Sequence, residues 1–248
     1  ARLWIRSRFG RLLAACAETA IGPGVRVEVG APQAPATTPK RTVKRRPAQT
    51  QEFNPRFTLD EFVIGDCNRL AHAAALAVAE MPGLAYNPLF ICGPPGLGKT
   101  HLLHSIANYI TEHGDGLTVR YTTVEAFTDD FVGALQGGAL DAFKATYRGV
   151  GVLLVDDVQF LQSKAKTEQE FFHTFNELHQ AGAQLVLTSD RLPRDMDALE
   201  DRLRERFEAG LVCDIRPADR ATRLTILRKR VEQDDIRDIE PEALELIA

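Results

Sequence analysis

The segment GPPGLGKT at residues 93–100 has the residue types and spacing of a phosphate-binding loop. It follows a short apolar stretch and precedes a helical pattern, which is the context that such a loop requires. Lys99 would supply a mobile cation for the β- and γ-phosphates, and the Thr100 hydroxyl could ligate Mg²⁺. Glycines would let the backbone N–H groups curl towards phosphate oxygens at the start of the next helix. These glycines are Gly93, Gly96 and Gly98. The alternative is a glycine-proline turn that simply leads into a helix.

A second candidate motif lies about fifty residues further on, where the apolar run Val152–Val155 ends in Asp156 and Asp157. Strands that end in acids are common, but one that follows a phosphate loop at this distance is typical of ATPases. In that context Asp156 would hold Mg²⁺ directly or through water. Asp157 would orient or activate the attacking water.

Two further polar clusters could belong to the same site. Residues 188–190 (Thr-Ser-Asp) end the next apolar stretch and would place a polar group beside the γ-phosphate, although a helix cap or a turn is the alternative. Three arginines follow in the segment EDRLRERF. On a helix Arg202 and Arg206 share a face, while Arg204 points nearly the opposite way. The residues alone leave open whether these arginines contact a ligand or form surface ion pairs with nearby glutamates.

The elements that must position these residues alternate between strands and helices from Phe53 onward. This order predicts an α/β fold, a parallel sheet covered by helices on both faces. The predicted strands are 89–92, 118–122, 150–155 and 185–188, and the predicted helices are 68–80, 100–110, 166–180 and 200–208. Thr122 and Glu125 are expected to form a capping box for a further helix.

Charge divides the 248-residue chain into two parts. Residues 1–52 hold ten basic and three acidic residues, a net charge of +7, whereas residues 53–248 hold twenty and thirty-one, a net charge of −11. The acidic body argues against a broad, non-specific hold on duplex DNA. No apolar run approaches the ~20 residues that span a bilayer. The four cysteines are scattered without a C-x-x-C pair, which fits a reducing cytosol and disfavours a zinc ribbon or a disulfide scaffold.

The first fifty residues show only parts of a domain. A helix over 3–20 and a half-buried strand over 25–29 are expected, as the remnant of a domain whose start is missing. The arginine-rich start is also compatible with an organelle transit peptide. The basic, proline-rich stretch 30–51 predicts a disordered linker, either a solvated tether or an electrostatic aid to nucleic-acid binding.

Several blocks, in family order, resemble the bacterial DnaA replication initiators. They are FVIGDCNRLAHAAALAVAE (62–80), GPPGLGKTHLLHSIANYI (93–110), LLVDDVQFL (153–161), EFFHTFNEL (170–178) and LTSDRLP with LEDRLRERFEAGL within 187–211. The resemblance implies a P-loop AAA+ ATPase that binds ATP and Mg²⁺, oligomerises on the chromosomal origin and engages single-stranded DNA. It further implies duplex opening and helicase loading in the cytoplasm.

The same resemblance implies a division into four parts. They are 1–30, the remnant of a small N-terminal interaction domain; 31–52, the linker; 53–215, the AAA+ core; and 216–248, the start of an incomplete helical lid. The sensor 2 arginine and the helix-turn-helix domain that reads duplex origin boxes are expected beyond the chain. Further implied partners are the replicative helicase or regulators, through the N-terminal domain, and acidic membrane lipids.

The resemblance implies roles for residues in the chain's own nucleotide site and for residues that face a neighbouring copy or DNA. Those in the chain's own site are Lys99 and Thr100 (Walker A), Asp156 and Asp157 (Walker B), Asp190 (sensor 1), and Val63 and Ile64 near the adenine. Arg206 takes the arginine-finger position that reaches ATP on a neighbouring copy, and Arg202 matches a nearby arginine tied to assembly. Val132 and Lys166 match positions that contact single-stranded DNA. Lys166 replaces the usual arginine, which keeps the charge but loses the planar fork.

Other ATPase classes provide the alternatives. A helicase loader or a regulatory initiator paralogue would share the phosphate loop and the arginine finger, but not the N-terminal piece and basic linker. A small-molecule P-loop kinase would need an acceptor pocket and a lid arginine in the same chain. A catalytically inactive scaffold would have no need of intact Lys99, Asp156 and Asp157.

Overall fold

The computed structural model describes residues 53–114, 116–236 and 239–248. The expected N-terminal helix, strand and linker, residues 1–52, lie outside the described residues. The strands are β1 (Leu89–Cys92), β2 (Val119–Thr123), β3 (Val152–Asp156), β4 (Gln184–Ser189) and β5 (Leu211–Asp214). The helices are α1 (Arg69–Glu80), α2 (Lys99–His113), α3 (Val124–Gly137), α4 (Leu140–Arg148), α5 (Ala165–Gln180), α6 (Asp201–Glu208), α7 (Arg220–Gln233) and α8 (Pro241–Ile247). Short 3-10 turns cover Val158–Leu161 and Pro193–Asp195.

The five strands form one parallel sheet in the order β2-β3-β4-β1-β5. In the register of this sheet Cys92 lies beside Ser189, and Asp156 lies beside Thr123. The carboxyl ends of β1, β3 and β4 therefore meet at one edge, where open parallel sheets bind ligands. This arrangement brings the loop after β1 next to the acids after β3.

Each face of the sheet buries its own apolar cluster, because successive side chains of a strand point to opposite faces. In β1, Phe90 packs with the aromatic residues of α3 to α6, whereas Ile91 packs with the aliphatic residues of α1 and α2. The expected α/β sheet with helices on both faces is confirmed. Among the described residues, no helix combines the length and the apolar character that crossing a membrane requires.

The predicted cap of α3 is wrong by one residue. Thr122 still belongs to β2, where it pairs with Val155, and its side chain is buried within the fold. Thr123 is the last strand residue, and its hydroxyl accepts the backbone N–H of Ala126 at 3.2 Å. The cap falls on Thr123 because strand pairing continues to Asp156, one residue beyond the predicted end of each strand.

Helix α6 packs on the core through two fully buried side chains, Leu203 and Phe207. Phe207 is fully buried, and its ring centroid lies 5.5 Å from that of Phe90 and 6.2 Å from that of Phe175. These contacts set the position of the arginines on the same helix.

We expect Phe207→Ala to lower the free energy of unfolding by about 3–5 kcal/mol, because it leaves a cavity between α6 and the sheet. Urea unfolding followed by circular dichroism measures the loss. The control is Leu84→Ala, since Leu84 is 85% exposed, and it should change stability by less than about 0.5 kcal/mol. Equal effects of the two substitutions would contradict the packing of Phe207 between α6 and the sheet.

Candidate functional site

The phosphate-loop segment connects β1 to α2, as the sequence predicts. Gly98 precedes α2 with φ +89°, and a Cβ there would lie 2.9 Å from Cε2 of Phe62. Both the backbone conformation and the close approach of the ring therefore require glycine. The Lys99 side chain is buried, and its ammonium donates to the carbonyls of Gly93 at 2.7 Å and Pro94 at 3.1 Å. The loop thus holds its cation at the place where an anion would compete for the same protons.

Three hydroxyl groups converge on the buried carboxylate of Asp156. Thr100 Oγ1 donates to Oδ2 at 2.7 Å, and the Tyr121 hydroxyl donates to the same oxygen at 3.1 Å. Thr188 Oγ1 donates to Oδ1. A carboxylate beside a threonine hydroxyl is a donor set that suits a hard cation such as Mg²⁺, with phosphate and water oxygens completing the shell. The sequence motifs predict Thr100 and Asp156 as site residues but give no signal for Tyr121.

Asp157 is held in a left-handed backbone conformation, with φ 59° and ψ 50°, that is uncommon for residues other than glycine. Its N–H donates to Thr188 Oγ1 at 3.0 Å, and its Oδ1 accepts from Gln159 Nε2 at 3.0 Å. The other end of the Gln159 amide accepts the N–H of Asp190 at 3.2 Å. Gln159 therefore links the predicted water-orienting acid to the predicted sensor 1 position.

The Asp190 carboxylate is engaged by the next residue in the chain. Arg191 donates to it through Nε at 2.8 Å and through Nη2 at 3.0 Å. This guanidinium holds the pKa of Asp190 below its usual value, and the charge of Lys99 acts in the same direction. Asp190 thus presents a negative charge near the loop lysine. The sequence motifs give no signal for the role of Arg191.

A cavity of about 390 Å³ opens between the phosphate loop, the segment 56–68 and helix α7. Val63 lines this cavity beside Leu97 of the loop, whereas Ile64 is half exposed and is not among the lining residues. The Asn68 side chain fixes the turn, because Nδ2 donates to the Val63 carbonyl at 3.0 Å and Oδ1 accepts the Gly65 N–H at 2.9 Å. The cavity has the size of a small-molecule pocket.

Three polar residues on one face of α2 hold the chain segment that leads to this cavity. His101 Nε2 lies 2.9 Å from the Thr58 carbonyl, His104 Nδ1 accepts the Asn54 N–H at 3.2 Å, and Asn108 donates to the Asn54 carbonyl at 2.8 Å. Burial lowers the pKa of both histidines, which favours neutral rings. Their i, i+3, i+7 spacing is the sequence signal that could have revealed this contact face.

The arginines of α6 differ in their partners. Arg202 pairs with Glu200 at 2.8 Å and lies over the ring of Phe172, and Arg204 pairs with Asp201. Arg206 is exposed and makes no hydrogen bond or ion pair with the part of the chain that the structure describes. Local ion pairs therefore account for two of the arginines but not for Arg206.

Two predicted DNA-contacting residues lie exposed on helices α3 and α5. Val132 is 44% exposed on α3, and Lys166 is exposed in the first turn of α5. Helix α3 packs against the 3-10 turn Val158–Leu161, which directly follows Asp157. Neither side chain takes part in the hydrogen-bond network around Asp156.

Comparison with known proteins gives consistent results. Residues 53–214 match the family described as the bacterial DnaA ATPase domain. The chain is 51% identical over 223 residues to the chromosomal replication initiator protein DnaA of Cutibacterium acnes. That match covers 90% of this chain but 44% of the relative, so the chain spans less than half of the relative's length.

Two solved structures resemble the fold. One is domain III of the replication initiation protein DnaA from Thermotoga maritima, with a TM-score of 0.77 and 46% identity over 79% of this chain and 82% of that chain. The other is a replication initiator DnaA bound to AMPPCP and single-stranded DNA, with a TM-score of 0.73 and 37% identity over 79% of this chain and 60% of that chain. The chain therefore belongs to the bacterial DnaA family, and residues 53–214 are its AAA+ ATPase domain.

Proposed function

We propose that this chain carries the ATP-dependent switch of a cytoplasmic chromosomal replication initiator. In this proposal it binds ATP with Mg²⁺, associates with further copies across the nucleotide, and engages single-stranded origin DNA in that assembly. The observation that carries the proposal is the contact between Thr100 and Asp156 beside the buried Lys99, at the edge where three parallel strands end. The ATP analogue in the related DnaA structure supports the choice of nucleotide.

Nucleotide binding would use groups that are already close together. The ammonium of Lys99 would exchange the carbonyls of Gly93 and Pro94 for β- and γ-phosphate oxygens. Thr100 and Asp156 would hold Mg²⁺, which when bound neutralises charge on the phosphates. Val63 would lie beside the base, because it lines the cavity next to the loop.

Hydrolysis would depend on two copies of the chain. Asp157 would orient the attacking water and Asp190 would respond to the γ-phosphate, since Gln159 links the two positions. The guanidinium of Arg206 would complete the site of a neighbouring copy, with Arg202 supporting the interface. The absence of a local partner for Arg206 in the described part of the chain supports this role.

The remaining proposals concern DNA and other proteins. Val132 and Lys166 would contact single-stranded DNA, because repeated weak contacts along a strand add up in an oligomer. Duplex opening, helicase loading, and recruitment of helicase or regulators through residues 1–30 would belong to the longer initiator. Duplex recognition by a C-terminal domain and contact with acidic lipids would also belong to the longer initiator. Within this chain, residues 31–52 would form a linker and residues 216–248 the start of a helical lid.

A helicase loader or a regulatory paralogue is the second candidate. The match to the initiator relative favours the first, because 223 aligned residues exceed the 196 residues of 53–248 and so extend into the N-terminal part. Self-assembly in the presence of ATP, without a helicase partner, would further distinguish an initiator from a loader.

The nucleotide assignment is tested by thermal unfolding at millimolar ATP with Mg²⁺. Saturating ATP should stabilise the wild type, by about 4 kcal/mol at 1,000 times the dissociation constant, and Lys99→Ala should lose most of this gain. Lys144→Ala removes a lysine of α4, outside the proposed site, and should keep the gain. Equal stabilisation of wild type and Lys99→Ala would contradict the phosphate-loop assignment.

The role of Arg206 is tested by comparing Arg206→Ala with Arg204→Ala, its neighbour on α6. Arg206→Ala should bind ATP normally but lose ATP-dependent assembly and turnover, where arginine fingers contribute about 10³–10⁵ in rate. Arg204→Ala should retain both, because its partner is Asp201 of the same helix. Light scattering and phosphate release are the measurements.

A mixture provides a second measurement of the same role. Arg206→Ala protein mixed with Asp157→Asn protein should recover part of the turnover, since some interfaces then contain an intact acid and an intact arginine. Loss of ATP binding in Arg206→Ala alone would instead place this arginine in its own nucleotide site.

The DNA assignment is tested by fluorescence anisotropy with labelled oligonucleotides. We expect ATP-dependent binding to single strands, weakened by Lys166→Glu and by salt, since each phosphate contact releases counterions. Arg220→Glu makes the same charge change on exposed α7 and should have a smaller effect. Tight, sequence-selective duplex binding by this chain would contradict the assignment, because such reading needs an element placed in the major groove.

A further inference from the structure

Tyr121 lies outside the predicted motifs, yet its hydroxyl contacts the same carboxylate oxygen as the phosphate-loop threonine. Tyr121 donates to Asp156 Oδ2 at 3.1 Å, and Thr100 donates to that oxygen at 2.7 Å. We propose that Tyr121 is a positioning residue for the Mg²⁺-binding pair formed by Thr100 and Asp156. The inference rests on the proposed function, in which this pair holds the cation.

The register of the sheet explains why an edge-strand residue can reach the site. Strand β2 pairs with β3 so that Thr123 lies opposite Asp156 and Tyr121 lies opposite Leu154. Side chains two residues apart in a strand point to the same face. The phenol of Tyr121 is therefore on the face that α2 covers, where its length allows the hydroxyl to extend to the end of β3.

Helix α2 limits the freedom of this ring. The His104 ring centroid lies 4.5 Å from that of Tyr121, and the two planes are inclined by 46°. His104 is itself fixed, because its Nδ1 accepts the Asn54 N–H at 3.2 Å. The tyrosine hydroxyl is thus aimed at Asp156 from a ring that is packed between a helix and a strand.

The three hydroxyl donors together hold both oxygens of the Asp156 carboxylate. Thr188 holds Oδ1, and Tyr121 and Thr100 share Oδ2, so the plane of the carboxylate is fixed at both oxygens. Because the Thr100 proton is committed to Asp156, the oxygen lone pairs of Thr100 are free to face a cation. Without the Tyr121 hydroxyl, Oδ2 keeps the Thr100 donor but loses the second bond, so the carboxylate is held less firmly against Thr100.

This geometry predicts an effect on the metal-dependent part of nucleotide binding. In the proposed function Lys99 and the loop N–H groups act on the phosphates without metal, whereas the Tyr121 hydroxyl donates to Asp156, a proposed metal ligand. Removal of the hydroxyl should therefore leave metal-free ATP affinity unchanged and reduce the gain that Mg²⁺ provides.

The test is isothermal titration of the whole chain with ATP, once in EDTA and once in Mg²⁺. Tyr121→Phe should lose about three- to tenfold of the Mg²⁺-dependent gain, the effect expected of one hydrogen bond. Its affinity in EDTA should equal that of the wild type. The matched control is Tyr147→Phe, because the Tyr147 hydroxyl also donates to a carboxylate, Asp130 Oδ2 at 2.6 Å, but on the other face of the sheet. This control should keep the full gain.

Each other outcome contradicts the inference in a distinct way. An unchanged Mg²⁺ gain in Tyr121→Phe would show that the hydroxyl does not position the pair. Equal loss in EDTA and in Mg²⁺ would assign Tyr121 to the phosphate loop or to folding. No Mg²⁺ gain in the wild type would overturn the metal role of Thr100 and Asp156, and hence the proposed function together with this inference.

Discussion

The buried carboxylate of Asp156 is the group on which the site depends. Only 2% of this residue is exposed, and a buried charge is tolerated only when hydrogen bonds replace its lost hydration. Hydroxyls from three separate elements supply those bonds: Thr100 from α2, Tyr121 from β2 and Thr188 from β4. The requirement to satisfy one anion therefore holds the start of α2, strand β2 and the end of strand β4 in fixed positions relative to each other.

The phosphate-loop lysine is the second buried charged group whose lost hydration must be replaced. Lys99 is a buried cation, and carbonyls of its own loop solvate it. Phosphate oxygens carry full negative charge, so they form stronger bonds to the ammonium than neutral carbonyls do. The carbonyl contacts hold the loop lysine in place without ligand, and in the proposed function their exchange for phosphate would favour anionic ligands.

The sequence predicted the α/β sheet and the residues that would provide chemistry, because glycine spacing, apolar runs and terminal acids are local patterns. It did not predict Tyr121, which reaches Asp156 across 35 residues of sequence, or Gln159, which connects two strand ends. Such partners depend on strand register, which a single sequence does not provide. The one-residue shift from Thr122 to Thr123 at the cap of α3 has the same cause. Strand β5 is short and half-buried, so its periodicity is weak.

Helix α6 combines a side chain that packs in the core with an arginine that is exposed to solvent. Phe207 is buried against the sheet while Arg206, its neighbour in sequence, is exposed. An exposed arginine without an ion pair remains hydrated, so it lowers the stability of the isolated chain very little. The attraction between an arginine and a negative charge is strongest when both groups are removed from water. Because the packing of Phe207 fixes the position of helix α6, the proposed contact of Arg206 with the phosphates of another copy would require ordering only of the arginine side chain itself.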